Sequence, residues 1–95
     1  MSEIDDTLVE RGKRYGKFTG HATVSQTLQL VIRNGFKDNP NAHFEELAAD
    51  QREALFMICH KLGRIVNGDP DYGDSWVDIA GYAKLVADRL EGKEQ

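Results

Sequence analysis

The sequence has few of the features that mark secreted or membrane-bound proteins. It contains one cysteine, Cys59, so no disulfide can form within the chain, and such a lone cysteine is typical of a reducing compartment. No run approaches the roughly 20 apolar residues that a membrane-spanning helix needs. Residues 1–6 are acidic instead of basic and then apolar, so no signal peptide is expected. These absences predict a soluble, cytoplasmic protein.

The sequence also lacks an excess of positive charge and the common catalytic motifs. Twelve Lys and Arg residues stand against 16 Asp and Glu residues, giving a net charge of −4, which argues against nonspecific binding to duplex DNA. Neither an HExxH motif nor a Cys/His zinc spacing is present. No nucleophile elbow, Walker loop or dinucleotide-binding fingerprint occurs. Basic residues are nevertheless dense near the N-terminus, at Arg11, Lys13, Arg14 and Lys17.

The residues that are present are typical of a small helical domain. The 95 residues are 40% hydrophobic and 29% charged, which allows a packed core. Apolar residues recur at helical spacing, without strand-like alternation or internal repeats. We therefore expect one all-α domain over residues 1–95, a small bundle of three to four helices. Because so short a chain buries only about two thirds of its surface at best, we also expect a homo-oligomer.

The N-terminal segment, residues 1–20, is expected to be the least regular part of the domain. A helix beginning near Glu3 should be broken by Gly12 and Gly16. The glycines and basic residues then predict a loop over residues 12–20, where backbone N–H groups can approach a ligand closely. The alternative interpretation is an ordinary surface turn.

The helical core is expected over residues 21–91. Helices are predicted over residues 21–34 and 75–90, with a short helical turn over residues 43–49. A further helix should run from about residue 50 and end at Asn67 and Gly68. Apolar stripes on the last two helices are predicted to face the core, and they comprise Ala54, Leu55, Ile58, Cys59, Leu62, Ile65, Val66, Ile79, Ala80, Ala83, Val86, Ala87 and Leu90.

The starts of the last two helices carry capping signals. Asp50 is predicted to be an N-cap, with Glu53 three residues further on in a capping-box-like arrangement. Asp74 or Ser75 is expected to cap the last helix. Gly81, in the middle of that helix, indicates a close helix–helix approach or a ligand against the backbone, because glycine costs about 1 kcal/mol there relative to alanine.

Polar residues remain aligned on the last two helices once the apolar stripes are set aside. The residues that share a face are His60 and Arg64 on the third helix, with Lys61 beside them, and Asp74, Asp78 and Tyr82 on the fourth. Two antiparallel helices joined by a short loop pack side by side, so the basic group and the acidic group should meet. This spacing predicts a polar site between the two helices.

The chemistry of these side chains suits a phosphorylated ligand. Arg64, Lys61 and Arg11 would hold an anionic group, since guanidinium groups bind phosphate through paired hydrogen bonds. Aromatic side chains such as those of Tyr15 and Tyr72 could stack on a base. The candidate ligand-binding residues are Arg11, Arg14, Tyr15, His60, Lys61, Arg64, Asp74, Trp76, Asp78 and Tyr82.

Several of these residues also have a purely structural interpretation. Arg64 and either Asp74 or Asp78 can form an ion pair that ties the two helices together, and Asp74 can act only as a cap. Trp76 can anchor a core or an interface through its large apolar area. His60 can be a structural histidine, since a single histidine has no metal signature.

Three segments of the chain carry a resemblance to known families. Residues 10–16, 60–68 and 74–82 read ERGKRYG, HKLGRIVNG and DSWVDIAGY. Together they resemble a family of small proteins encoded by tailed bacteriophages and prophages, which implies the cytoplasm of an infected bacterium. The chain is also loosely similar to MazG-type all-α nucleoside triphosphate pyrophosphohydrolases. In those enzymes acidic pairs on facing helices bind Mg²⁺, a role that Glu53, Asp74 and Asp78 would fill here, although the enzymes' Glu-x-x-Glu spacing is absent.

Three functions follow as hypotheses. The first is a phage-encoded nucleotide-binding protein that sequesters a host nucleotide immune signal and needs no cofactor. The second is a Mg²⁺-dependent nucleotide pyrophosphohydrolase of MazG-like type, which turns its ligand over. The third is a protein-binding inhibitor of a host enzyme. The scarcity of aligned carboxylates favours binding over a two-metal reaction.

Overall fold

The computed structural model describes residues 2–95, and this part of the chain is helical without strands. Four α-helices make up the fold: α1 (Glu3–Tyr15), α2 (Phe18–Gly35), α3 (Ala49–Asn67) and α4 (Gly73–Leu90). Two 3₁₀ turns, Phe36–Asp38 and Phe44–Glu46, lie between α2 and α3. The prediction of an all-α bundle of three to four helices is confirmed; the first residue of the predicted 1–95 domain lies outside the described residues. Among residues 2–95, no helix has both the length and the hydropathy that crossing a membrane requires.

Helices α2, α3 and α4 form the body of the molecule, with α3 in the middle. Helix α2 runs antiparallel to α3, because His21 at its start contacts His60 and Arg33 near its end lies over the Phe44 ring, beyond the other end of α3. Helix α4 also runs antiparallel to α3. The pair Lys61–Asp78 lies near the connection between these two helices, and Asp50 meets Arg89 at their far ends. The expected antiparallel packing of the last two helices is therefore found.

The N-terminal segment is more regular than its glycines indicated, so the predicted loop over residues 12–20 is wrong. Helix α1 continues through Gly12 to Tyr15, and α2 already begins at Phe18. The side chain of Ser2 accepts the N–H of Asp5, and acidic residues in the first turn and basic residues in the last turn suit the helix dipole. These end effects outweigh the cost of one interior glycine. Only Gly16, with φ of 76°, interrupts the helices as expected.

The predicted caps of α3 and α4 are also wrong. Helix α3 begins one residue before Asp50, and the Gln51 side chain accepts the N–H of Ala48 at 3.0 Å. Asp50 instead receives two hydrogen bonds from Arg89, at 2.8 and 2.7 Å. Asp74 lies inside the first turn of α4, which begins at Gly73. In both helices another side chain engages the carboxylate that local spacing assigned to capping: Arg89 for Asp50, and the neighbouring Tyr72 for Asp74.

The core of a single chain is smaller than the apolar stripes predicted. Phe44, Ala54 and Cys59 are the buried apolar residues of the described chain. On α4 the predicted core positions Ala80, Ala83, Ala87 and Leu90 are exposed, Leu90 by 60%, and Val66 on α3 is exposed too. Nothing lies within 4 Å of a Cβ placed on Gly81, so the close approach expected there is absent. Part of the α4 stripe is thus left uncovered by its own chain, while Ile79 and Val86 are half-buried.

The described chain is elongated and has a large surface for its mass. Its radius of gyration is 15.5 Å, whereas a compact domain of this length has one of about 12 Å. Its accessible surface is 6726 Å², whereas a compact monomer of this mass exposes about 5,500 Å². The surplus is about 1,200 Å², and exposed apolar side chains on all four helices contribute to it.

Candidate functional site

A cavity of about 710 Å³ lies where α1, the start of α2 and the second half of α3 meet. It is here called the basic cavity, because the charged side chains that line it are Arg11, Lys17 and Arg64. Its remaining walls are mostly aromatic, formed by Tyr15, Phe18, His21 and His60. Helices α1 and α3 thus contribute both charge and aromatic or imidazole surface, α2 contributes Phe18 and His21, and Lys17 lies just before α2.

The end of α3 fixes the connection between α1 and α2. The Asn67 amide donates hydrogen bonds to the carbonyl oxygens of Tyr15 and Lys17, at 2.8 and 2.9 Å. The backbone N–H of Asp69 donates to the Arg14 carbonyl at 2.6 Å. A Cβ on Gly68 would lie 2.2 Å from that same carbonyl oxygen, so only glycine allows this close approach. The Asn67 and Gly68 pair, expected only to end a helix, also positions one wall of the cavity.

Arg64 lies against the aromatic wall without a charged partner. Its guanidinium carbon is 4.1 Å from the centroid of the Tyr15 ring, a cation–π contact. Within residues 2–95 Arg64 forms no ion pair, and its buried Nε has no hydrogen-bond partner. Because no carboxylate in the described chain engages this guanidinium, it is available to an anionic ligand.

The basic cavity differs in charge from the chain as a whole. The chain carries a net charge of −4, yet no Asp or Glu is among the cavity's lining residues in the described part of the chain. Helix α2, whose start forms part of the wall, has no acidic residue in its first turn. The positive end of its dipole therefore adds to the field of the three cations.

Two histidines form the floor of the basic cavity. The His21 and His60 rings lie with centroids 4.4 Å apart, and Nε2 of His21 is 2.9 Å from the His60 carbonyl oxygen. That oxygen can only accept, so Nε2 of His21 carries the proton. The ring of His21 fits because position 63 is glycine, where a Cβ would lie 2.7 Å from its Cδ2.

Both histidines are neutral at physiological pH. Burial lowers the pKa of His60 to about 4, helped by the neighbouring His21 and by the charges of Arg64 and Lys61. Burial also lowers the pKa of His21, against the opposing effect of its hydrogen bond to the His60 carbonyl. The imidazoles therefore offer stacking surface and hydrogen bonding, and they add no charge to the basic cavity.

The structure separates the two halves of the predicted polar site. Lys61, only 9% exposed, forms an ion pair of 3.0 Å with Asp78 between α3 and α4. Arg64, one turn further along α3, contacts Tyr15 on α1 instead. Basic and acidic residues of the two helices do meet, as expected, but through Lys61. Arg64 and Asp78 do not share a site in this chain.

Three other predicted residues lie around the connection between α3 and α4. Arg14 donates to the Tyr72 hydroxyl at 3.0 Å, and this hydroxyl donates to Asp74 at 2.8 Å. The Trp76 indole donates to the Pro70 carbonyl at 2.8 Å. The hydrogen bond to Asp74 raises the pKa of Tyr72, so the phenol stays protonated. The contacts of Arg14, Tyr72 and Asp74 join α1 to the start of α4, and the Trp76 contact ties α4 to its preceding loop, so these roles are structural.

Four of the ten predicted residues therefore line the basic cavity, namely Arg11, Tyr15, His60 and Arg64. Tyr82 lies beside a separate shallow depression on α4. The cavity residues that sequence reasoning missed are Lys17, Phe18 and His21. Gly16 and Gly20, which flank Lys17 and Phe18, were the signal that could have found those two residues, whereas no local signal marked His21.

The structure does not assemble the metal site that the hydrolase alternative needs. Within residues 2–95, no three His, Cys, Asp or Glu side chains are grouped so that they could hold a metal ion. Of the three suggested ligands, Asp78 is paired with Lys61, and Asp74 accepts the Tyr72 hydroxyl. Glu53 is exposed on α3.

Comparison with known proteins gives a family assignment. The family model of a domain of unknown function, DUF6378, matches residues 3–90, which span all four helices. No curated protein and no solved structure matches the chain. Functional inference therefore depends on the geometry of the site.

Proposed function

We propose that this chain, which belongs to the DUF6378 family, binds a phosphorylated small molecule of the nucleotide type in the basic cavity. The observation that carries the proposal is the charge of the cavity. Three cations and no carboxylate line it, in a chain whose net charge is negative. Such a field favours an anion, and Arg64 can bind phosphate through two parallel hydrogen bonds.

The size and walls of the cavity support a ligand with an aromatic part. A volume of about 710 Å³ lies within the range of about 300–1,000 Å³ typical of small-molecule sites. Tyr15 and Phe18 present ring faces or edges, and stacking of a base on an aromatic side chain contributes roughly 1–3 kcal/mol. The neutral imidazole of His60 can exchange hydrogen bonds with a base without repelling the cations.

Binding without turnover fits the arrangement better than hydrolysis. The carboxylates of Asp74 and Asp78 are engaged by Tyr72 and Lys61, outside the basic cavity. A Mg²⁺-dependent reaction would need these groups to move toward the bound phosphates. The cytoplasm of a phage-infected bacterium as the setting, and a host immune nucleotide as the ligand, stay predictions from the sequence.

We also propose that the protein works as a homo-oligomer. The accessible surface of the described chain exceeds that of a compact monomer by about 1,200 Å². A stable protein interface buries about 800 Å² on each partner, so the surplus is large enough for one. An inhibitor of another protein would use the same exposed side chains, and mass measurement of the purified chain alone separates the two.

A thermal-shift screen, followed by calorimetric titration, tests ligand binding directly. Mono-, di-, cyclic and ADP-ribose-type nucleotides are each added with and without Mg²⁺. A ligand present at 100 times its dissociation constant should stabilise the fold by about 2.7 kcal/mol. Binding by none of these nucleotides contradicts the proposal, and hydrolysis of any of them favours the enzyme alternative.

Two basic residues of α1 provide a matched pair of variants. Arg11→Gln removes a cation of the basic cavity, whereas Lys13→Gln removes an exposed cation that does not line it. We expect Arg11→Gln to weaken binding at least tenfold and Lys13→Gln to change it less than twofold, since a charge-assisted hydrogen bond contributes roughly 1.5–3 kcal/mol. Arg64→Ala should abolish detectable binding. Equal effects of the two glutamine variants would place the ligand elsewhere.

A further inference from the structure

Among the described residues, helix α1 contacts its own chain only through its C-terminal end. It has 13 residues, and none of them is buried. Isolated helices shorter than about 12–15 residues are marginal in water. Its apolar side chains are nevertheless large, and Ile4 is 72% exposed. The N-terminal half of α1 therefore presents an apolar surface that its own chain leaves uncovered.

The exposed apolar face of α1 continues the wall of the basic cavity. Ile4, Leu8, Arg11 and Tyr15 are spaced four, three and four residues apart, which places them on one helix face. Leu8, Arg11 and Tyr15 line the cavity, and Ile4 extends the same face beyond it. A partner that packs on this face would also lie across the open side of the cavity.

The charges of α1 identify the partner. Acidic residues occupy its first turn, at Glu3, Asp5 and Asp6, and basic residues its last turn, at Lys13 and Arg14. In an antiparallel pair, Glu3 of each copy would lie near Arg14 of the other, at the edge of the apolar face, whereas Asp6 and Lys13 are on the opposite side of the helix. A parallel pair would set like charges together, which is unfavourable.

We infer that α1 pairs antiparallel with the α1 of a second copy, across a two-fold axis near Leu8, and that this pairing closes the basic cavity. Isologous pairing is the commonest way in which identical chains associate. The inference rests on the proposed self-association and on the proposed ligand site, and it names the surface that connects them. Each copy then contributes side chains to the mouth of the other copy's cavity.

Light scattering on a size-exclusion column tests the surface. The variants are Ile4→Glu, on the proposed contact face, and Val9→Glu, a matched control at an exposed apolar residue well away from that face. Wild type and Val9→Glu should have about twice the mass of one chain, and Ile4→Glu should dissociate at least tenfold more readily. Glutamate suits the first turn of a helix, so circular dichroism should show at most a partial loss of the 13 residues of α1 and no loss in the α2–α3–α4 body. A monomeric wild type, or an Ile4→Glu variant that stays dimeric, overturns the inference.

Disulfide trapping tests the antiparallel orientation. Cysteine is introduced singly at Leu8, near the middle of α1, or at Ile4, near its start. Native Cys59 is fully buried and does not compete. Leu8→Cys should crosslink on oxidation. Ile4→Cys should not, because an antiparallel pair separates the two sites by about 12 Å along the helix, beyond disulfide reach. Crosslinking of both variants indicates a parallel pair and overturns the inference.

Nucleotide titration of the same variants separates this inference from the proposed ligand site. Ile4 does not line the cavity of its own chain. Ile4→Glu should nevertheless weaken nucleotide binding at least fivefold, and Val9→Glu should not. If monomeric Ile4→Glu binds as tightly as wild type, closure by the second copy is wrong and the ligand site stands. If no variant, including wild type, binds a nucleotide, the proposed ligand site fails, and the dimer is judged by its mass alone.

Discussion

The two faces of α3 use charge in opposite ways. Toward α4, Asp50 and Lys61 are each paired with a partner on that helix, at 2.7 and 3.0 Å. Toward α1 and α2, Arg64 has no carboxylate partner among residues 2–95 and lies on the Tyr15 ring. Charges that are satisfied within the chain hold the helices together. A cation left without a partner beside a cavity is available to a ligand.

The largest expected effects on stability come from two glycine substitutions, one where α3 packs on α2 and one on an open part of α4. Gly63→Ala should destabilise the fold by about 2–3 kcal/mol, because the new Cβ would lie 2.7 Å from the His21 ring and 3.0 Å from its carbonyl oxygen. Gly81→Ala, in the middle of α4 with nothing within 4 Å, should stabilise it by about 0.5–1 kcal/mol. Urea unfolding followed by circular dichroism measures both. A neutral Gly63→Ala would mean that α2 packs more loosely on α3 than described.

A charge substitution on the α4 face should change stability without changing ligand binding. Asp78→Asn leaves the nearly buried Lys61 ammonium without its counter-charge. We expect a loss of about 2 kcal/mol, below the 3–5 kcal/mol of a fully buried pair because Asp78 is half exposed. Arg64→Ala should show the reverse pattern, with at most about 1 kcal/mol lost through its cation–π contact. Loss of nucleotide affinity in Asp78→Asn would show that both faces serve one site.

The smallest effect concerns the neutral histidines of the cavity face. The pKa of His60 is about 4 in the folded chain and about 6.5 when exposed, so the unfolded chain takes up the proton first. Stability from this residue is therefore complete above about pH 6.5 and is lost as the pH falls toward 4. Allowing for solvent screening, the loss is roughly 1 kcal/mol. The difference in unfolding free energy between wild type and His60→Gln at pH 7 and pH 4.5 measures it. An unchanged difference would mean that His60 is well solvated.

Local sequence was sufficient for the helices whose ends are set by neighbouring residues. Asn67 and Gly68 do end α3, and the apolar spacing of α3 and α4 marks both helices correctly. It was insufficient where a distant residue binds a side chain for which the local pattern predicted a different role. Asp50 was predicted to be a cap. Its carboxylate instead accepts a hydrogen bond from Arg89, 39 positions along the chain.

The site was predictable in its chemistry and only partly in its composition. Arg64, Tyr15 and Arg11 were identified by charge and ring type, and the structure places all three around one cavity. His21 was not identified, because its role depends on the missing side chain of Gly63 on a different helix. The predicted grouping of Arg64 with Asp78 failed for a similar reason. Positions 61 and 64 point toward different helices, a difference that residue type does not reveal.

The Asn67 amide has a consequence for the local stability of α1. It holds the junction of α1 and α2 through hydrogen bonds to two carbonyl oxygens, and no buried apolar residue of α1 reinforces them. Because these contacts are few and polar, the free energy for local opening of α1 should be lower than that of the α2–α3–α4 body. Backbone amides of α1 should therefore exchange hydrogen faster than those of α3.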